Sequence, residues 1–207
     1  MLILSNRTTL MPNGESIIVS ESDYNNSLRE VISLSHDGVA NFNVGDDVDQ
    51  KQKDDLHRAI KILDNMNEFK QTEAAGYFEA GLLYYIVGDS DTAKQRILQA
   101  LSNAQLTPNL TTAAQQANLE GVLADAHHIL GLIAFDHHDY NTAMQEVDLA
   151  LDHVKKSHLI RPNIYVCRAR VELELKKTKQ AQEDIEAALA SDPNSPQALR
   201  LKDFIQH

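Results

Sequence analysis

The 207-residue chain carries thirty acidic and nineteen basic side chains, a formal charge of −11, and such a surface repels phosphate backbones, which speaks against nucleic-acid binding. With 43% hydrophobic and 24% charged residues it has the balance of a chain that folds around one core, and a lone cysteine, Cys167, excludes a disulfide framework and points to a reducing compartment. The N-terminus has no basic leader ahead of an apolar run, and no stretch approaches the roughly 18 apolar residues of a membrane span, so a cytoplasmic protein without membrane insertion is expected.

Residues 1–45 form a divergent N-terminal segment. "LIL" and "SIIVS" flank "MPNGE", whose Pro and Asn-Gly predict a turn between two short strands, and "DYNNSLREVISLS" predicts a helix after them. Such an arm acts as a small cap, as a flexible lead, or as a strand in the groove of its own or another chain. The glycosylation triplets at Asn6, Asn25 and Asn109 are chance matches in a chain that is not secreted.

From residue 46 to 207 the pattern is helical. "DDLHRAIKILDNMNEF" is amphipathic, while the stretch before it, "ANFNVGDDVDQKQ", lacks an apolar stripe and carries Gly45, so this region reads as a half repeat or a capping helix. Next, "YFEAGLLYYIVGDSDTAKQRILQAL" predicts two helices around a turn at "VGDSD", with Gly81 inside the first. A glycine there costs on the order of 1 kcal/mol against alanine, so its missing side chain must serve close helix packing.

The pattern then recurs. Gly81 is followed by Ala93 and Ala100, Gly131 by Ala143 and Ala150, and Ala169 by Ala181 and Ala188, with the same spacings each time. A large residue stands four before the small one (Tyr77, His127, Tyr165), and an aliphatic four after the second (Ile97, Val147, Ile185). The copies are unevenly spaced, since 131 − 81 = 50 and 169 − 131 = 38. After the turn signal "TPN", Thr111 or Thr112 is a candidate N-cap for a helix running on to Phe135, so the extra residues are expected as an N-terminal extension of that helix, projecting beyond the array. At the far end Ser195 and Pro196 form an N-cap and first-turn pair, and Ala198, Leu201 and Ile205 make one apolar face of a terminal helix.

This pattern resembles the tetratricopeptide repeat (TPR), with its W-x₂-L-G-x₂-Y…A-x₃-F…P signature and period of about 34 residues. The resemblance covers residues near 74–107, 124–157 and 162–195, with a cap helix at 195–206. The first copy keeps Ala80, Gly81, Tyr84 and the turn, whereas the third has Arg168, Ala169 and Glu172 where Leu, Gly and Tyr are usual, yet it recovers the closing Pro193. The resemblance implies an all-α superhelical array of antiparallel helix pairs, a TPR-like α-solenoid, in which Gly81 lets the two helices of a pair approach.

Such arrays have a concave face lined by the first helix of each pair. In the register above, that face takes Phe78, Leu82, Tyr85 and Ile86 from the first repeat. His128, Leu132, Phe135 and Asp136 come from the second, and Val166, Arg170, Leu173 and Glu174 from the third. The Lys and Asn side chains with which some family members clamp a terminal carboxylate are missing, since Phe78, Leu82, His128 and Leu132 stand at the corresponding places. The expected function is a protein-protein interaction scaffold, adaptor or chaperone-like, that takes a partner's peptide or helix in an apolar groove. The alternatives are a self-associating structural protein, its groove filled by its own chain or a dimer mate, and a regulator that responds to a short peptide.

Chemistry has no positive support. The histidines of "ADAHHILGLIAFDHHDY" offer no i, i+4 pair for a metal, Cys167 has no nucleophile context and reads as structural, and no phosphate-binding or metalloprotease motif occurs. Neither an enzymatic activity nor a cofactor or metal is expected.

Overall fold

The computed structural model describes residues 7–10, 16–19, 30–31, 33–34, 49–69, 74–105, 112–157 and 161–206. Near the N-terminus Arg7–Leu10 (β1) pairs antiparallel with Ser16–Val19 (β2), Thr8 opposite Ile18 and Thr9 opposite Ile17. The first strand therefore falls on "RTTL"; "LIL" and "MPNGE" lie outside the described residues, as do 23–29 of the predicted helix and residues 40–48.

Among the described residues, 30–31 and 33–34 are helical, and eight helices with described bounds follow: α1 (Gln50–Phe69), α2 (Ala74–Ile86), α3 (Ser90–Gln105), α4 (Ala113–Asp136), α5 (Tyr140–Ser157), α6 (Pro162–Glu174), α7 (Thr178–Ser191) and α8 (Pro196–Gln206). Helix α1 begins at Gln50, ahead of its amphipathic run, because Asp49 and Gln52 cap it reciprocally: the Gln52 N–H donates to Asp49 Oδ1 at 2.8 Å and the Asp49 N–H to Gln52 Oε1 at 3.0 Å. Residues 50–52 of "ANFNVGDDVDQKQ" thus belong to α1 rather than to a preceding helix.

The pairs α2/α3, α4/α5 and α6/α7 pack along the small residues. A Cβ built on Gly81 would stand 2.6 Å from Ile97 Cδ1 and 3.2 Å from the Ala93 carbonyl oxygen, and one on Gly131 would stand 2.7 Å from Val147 Cγ2. Each pair also turns in the same way. Gly88, His138 and Lys176 have positive φ (90°, 60° and 59°), and the amide after each reaches back to a carbonyl of the first helix: Asp89 to Tyr84 at 2.9 Å, Asp139 to Ala134 at 2.9 Å, Lys177 to Glu172 at 2.8 Å. A left-handed residue closing a helix satisfies carbonyls that would otherwise be orphaned. Asp89 and Asp139 then cap the second helices through the N–H groups of Thr92 and Thr142, both at 3.1 Å, whereas Lys177 gives the third pair no side-chain cap.

Helix α4 has 24 residues against 13 in α2 and α6. Its N-cap is Thr112, in a capping box with Gln115. Residues 113–116 are exposed, but the rest of the added length does not project: α5 is long as well, Gly121 and Ala124 are buried, and His153 Nδ1 lies 2.6 Å from Glu120 Oε2. Higher up, His127 meets Glu146 at 2.8 Å and its ring stacks on that of His153 with centroids 5.5 Å apart, so paired imidazoles lace α4 to α5.

The core runs along the array. Leu56, Ala59, Ile60 and Leu63 of α1 pack against Ala80, Leu83 and Ile86 of α2, and Val31 joins them while Glu30 pairs with Arg58. In the middle, Ile97, Ala124, Ile129, Leu130, Val147, Leu151, Val154 and Ile164 form a continuous cluster. At the end, Leu201 and Ile205 of α8 cover Ala169, Ala181 and Ile185, while Phe204 remains 72% exposed. The third repeat's departures also find a place: Arg168 forks onto Asp184 of α7 (Nε to Oδ2 at 2.6 Å, Nη2 to Oδ1 at 2.7 Å) and reaches Asp148 of α5 at 3.1 Å.

Candidate functional site

The first helices α2, α4 and α6 stand side by side, and a cavity of about 290 Å³ opens along them. Phe78, Leu82, Tyr85 and Ile86 of α2 line it, with Asp125, His128, Ile129 and Leu132 of α4, Asn163, Val166, Cys167 and Arg170 of α6, and Gln197 of α8. On each of the three helices these residues follow an i, i+4, i+7 stripe (78, 82, 85; 125, 129, 132; 163, 167, 170), which is one helical face.

Phe78, Leu82, Tyr85, Ile86, His128, Leu132, Val166 and Arg170 were expected on the concave face, and the structure brings them together around this cavity. Phe135, Asp136 and Leu173 do not line it. Phe135 packs on Tyr140 and beneath Arg170, Asp136 accepts a hydrogen bond from the Tyr85 hydroxyl at 2.8 Å, and Leu173 packs into the cluster of Ala169, Ala181 and Ile185. Glu174, the last residue of α6, is likewise off the lining. An equal register in all three repeats is thus corrected: the lining shifts by about one turn toward the N-termini of α4 and α6, so Asp125, Ile129, Asn163 and Cys167 enter. Successive pairs in a solenoid are rotated against each other, and a cavity crossing them meets each helix at a different height. No signal in the sequence placed Gln197, which reaches the site only because α8 packs back on the array.

The polar groups are few and most are engaged. Asp125 is held by Arg161, Nε to Oδ1 at 2.9 Å and Nη2 to Oδ2 at 3.2 Å. Burial, and then the Asp136 carboxylate, push the Tyr85 phenol far above its usual range. His128 is buried, and burial followed by the Arg170 charge lowers its pKa to about 4, so it is neutral at pH 7; its Nδ1 lies 3.4 Å from the Asn163 side-chain amide. Burial raises the Cys167 thiol to about 12, which leaves it protonated and unreactive. Arg170 has its guanidinium carbon 4.3 Å from the centre of the Phe135 ring. Among the described residues no cluster of three His, Cys, Asp or Glu side chains is placed to hold a metal ion, and no helix is long and apolar enough to cross a membrane.

No protein-family model and no curated protein sequence matches the chain. Among solved structures, MamA superimposes with a TM-score of 0.56 at 15% identity, over 77% of this chain and 84% of its own. YrrB, described as a TPR protein with an unusual peptide-binding site, gives a TM-score of 0.36 at 14% identity, over 87% of this chain and 97% of its own. With three helix pairs closed by the same left-handed turn, two of them packed on glycines that leave no room for a methyl group, and with the likeness to MamA, the chain has the fold of a TPR-like α-solenoid.

Proposed function

We propose that the protein is an interaction scaffold that takes a short apolar segment of a partner protein in the cavity across α2, α4 and α6. The observation that carries this is the set of apolar side chains Phe78, Leu82, Ile129, Leu132 and Val166 that the three first helices bring to one cavity of about 290 Å³. That volume sits at the lower edge of the roughly 300–1,000 Å³ of ligand pockets, so it suits a few side chains of a peptide rather than a whole helix. Each large apolar side chain fully buried contributes roughly 1.5–3 kcal/mol, and two or three of them offset part of the cost of ordering a peptide.

The test is capture from native lysate with the wild type and a Phe78→Asp, Leu82→Asp variant shown by circular dichroism to be folded, followed by arrays of overlapping peptides from each captured protein. Both residues are only partly buried, so the variant is expected to fold. Peptides held by the wild type and lost by the variant support the proposal. Equal binding by both proteins would move the working surface elsewhere.

A further inference from the structure

Resting on that reading of the cavity, we infer that the bound segment is acidic as well as apolar, and that Arg170 receives a carboxylate of the partner peptide. The cavity lining holds one acid and one cation, and their situations differ. Asp125 is neutralised by the two-pronged bond from Arg161, whereas Arg170 forms no ion pair with any described carboxylate. Asp136, the other carboxylate beside this end of the cavity, is engaged by the Tyr85 hydroxyl.

The consequence is one guanidinium on the cavity wall that packs on the Phe135 ring and has no carboxylate of its own among the described residues, in a chain of formal charge −11. His128 adds no charge of its own at pH 7. A guanidinium held against an aromatic face keeps its planar set of five N–H donors, and that plane matches the two oxygens of a carboxylate. Packing on Phe135 restrains the side chain in advance, so less freedom is lost when the anion arrives. The apolar residues of α2 and α4 would hold the neighbouring side chain of the same segment. An entirely apolar segment would bury Arg170 without an anion, which disfavours it, and a basic segment would meet like charge.

The experiment uses a phage-displayed library of random dodecapeptides selected against the full chain, with the recovered sequences remade as synthetic peptides. The expected consensus pairs Asp or Glu with a large apolar residue. Arg170→Met keeps the stem on Phe135 but removes the charge, and is expected to weaken binding about tenfold to a hundredfold. Replacing the peptide's Asp by Asn, measured on the wild type, should cost a similar factor, and this arm does not depend on how the variant folds.

Peptides that bind, are lost by Phe78→Asp, Leu82→Asp, and yet show no acidic preference and no response to Arg170→Met would overturn this inference and leave the groove intact. Absence of any binder, or binders indifferent to Phe78 and Leu82, would overturn both. A dimer in light scattering that dissociates in Arg170→Met would place a second copy in the groove and likewise overturn the assignment to a partner peptide.

Discussion

Glu172 stands where a TPR usually carries tyrosine, is buried, and has its Oε2 without a hydrogen-bond partner among the described residues. The nearby guanidinium of Arg168 is committed to Asp184 and Asp148. Burial, followed by repulsion from Asp184, raises the Glu172 carboxyl from 4.5 to about 7. A raised carboxyl favours the folded state while it is protonated: that contribution is complete below pH 4.5 and is lost as pH climbs through 7. At about 1.4 kcal/mol per pKa unit, ionised Glu172 costs the fold about 3 kcal/mol at pH 8, and linkage reduces this to about 1 kcal/mol at pH 5. Glu172→Gln removes the charge, keeps the volume and offers an N–H toward Asp184. It is expected to raise Tm by roughly 4–12 °C at pH 8 and by only a few degrees at pH 5, read by circular dichroism melts in matched buffers. An equal gain at both pH values, or a loss at pH 8, would refute the reasoning, because the gain must follow the ionisation of one carboxyl.

His128 has the opposite slope: its lowered pKa means stability present above pH 6.5 and lost as pH falls through about 4, so His128→Asn should flatten the acid limb of the stability curve in urea titrations, and an unchanged limb would count against a neutral buried imidazole. Gly81→Ala should cost about 1 kcal/mol net, since overpacking of about 1–3 kcal/mol against Ile97 outweighs a helix-propensity gain of about 1 kcal/mol; a double-mutant cycle with Ile97→Ala should show relief, and strict additivity would contradict the close contact. Gly131→Ala should cost less, because the nearest backbone oxygen stands at 3.5 Å rather than 3.2 Å. Thr112→Ala should loosen the first turn of α4 by about 1 kcal/mol, seen as about fivefold faster exchange at the Gln115 amide with little change in global Tm.

What was legible in the sequence follows from local rules with long reach. Gly81, Gly131 and Ala169 announced close helix pairs because a small residue inside a helix has few other uses, and the structure fills each gap with Ile97, Val147 or Ile185. Thr112 was one of two candidate caps, and the reciprocal bonds with Gln115 selected it. The start of α1 was missed because the cap of Asp49 and Gln52 lies in a stretch without an apolar stripe. The outlying Arg168 and Glu172 looked like losses of pattern, and only the approach of α5 and α7 showed Arg168 as a tie between three helices.

By itself the sequence determined which segments become helices, where they pair and which face of each pair is apolar, since periodicity, caps and small residues act within about one repeat. Only the tertiary structure decided where the cavity crosses those faces. The rotation of one helix pair against the next is summed over packing contacts far apart in the chain, and it moved Asp125 and Asn163 into the lining, left Phe135 and Leu173 outside it, and brought in Gln197 from the last helix.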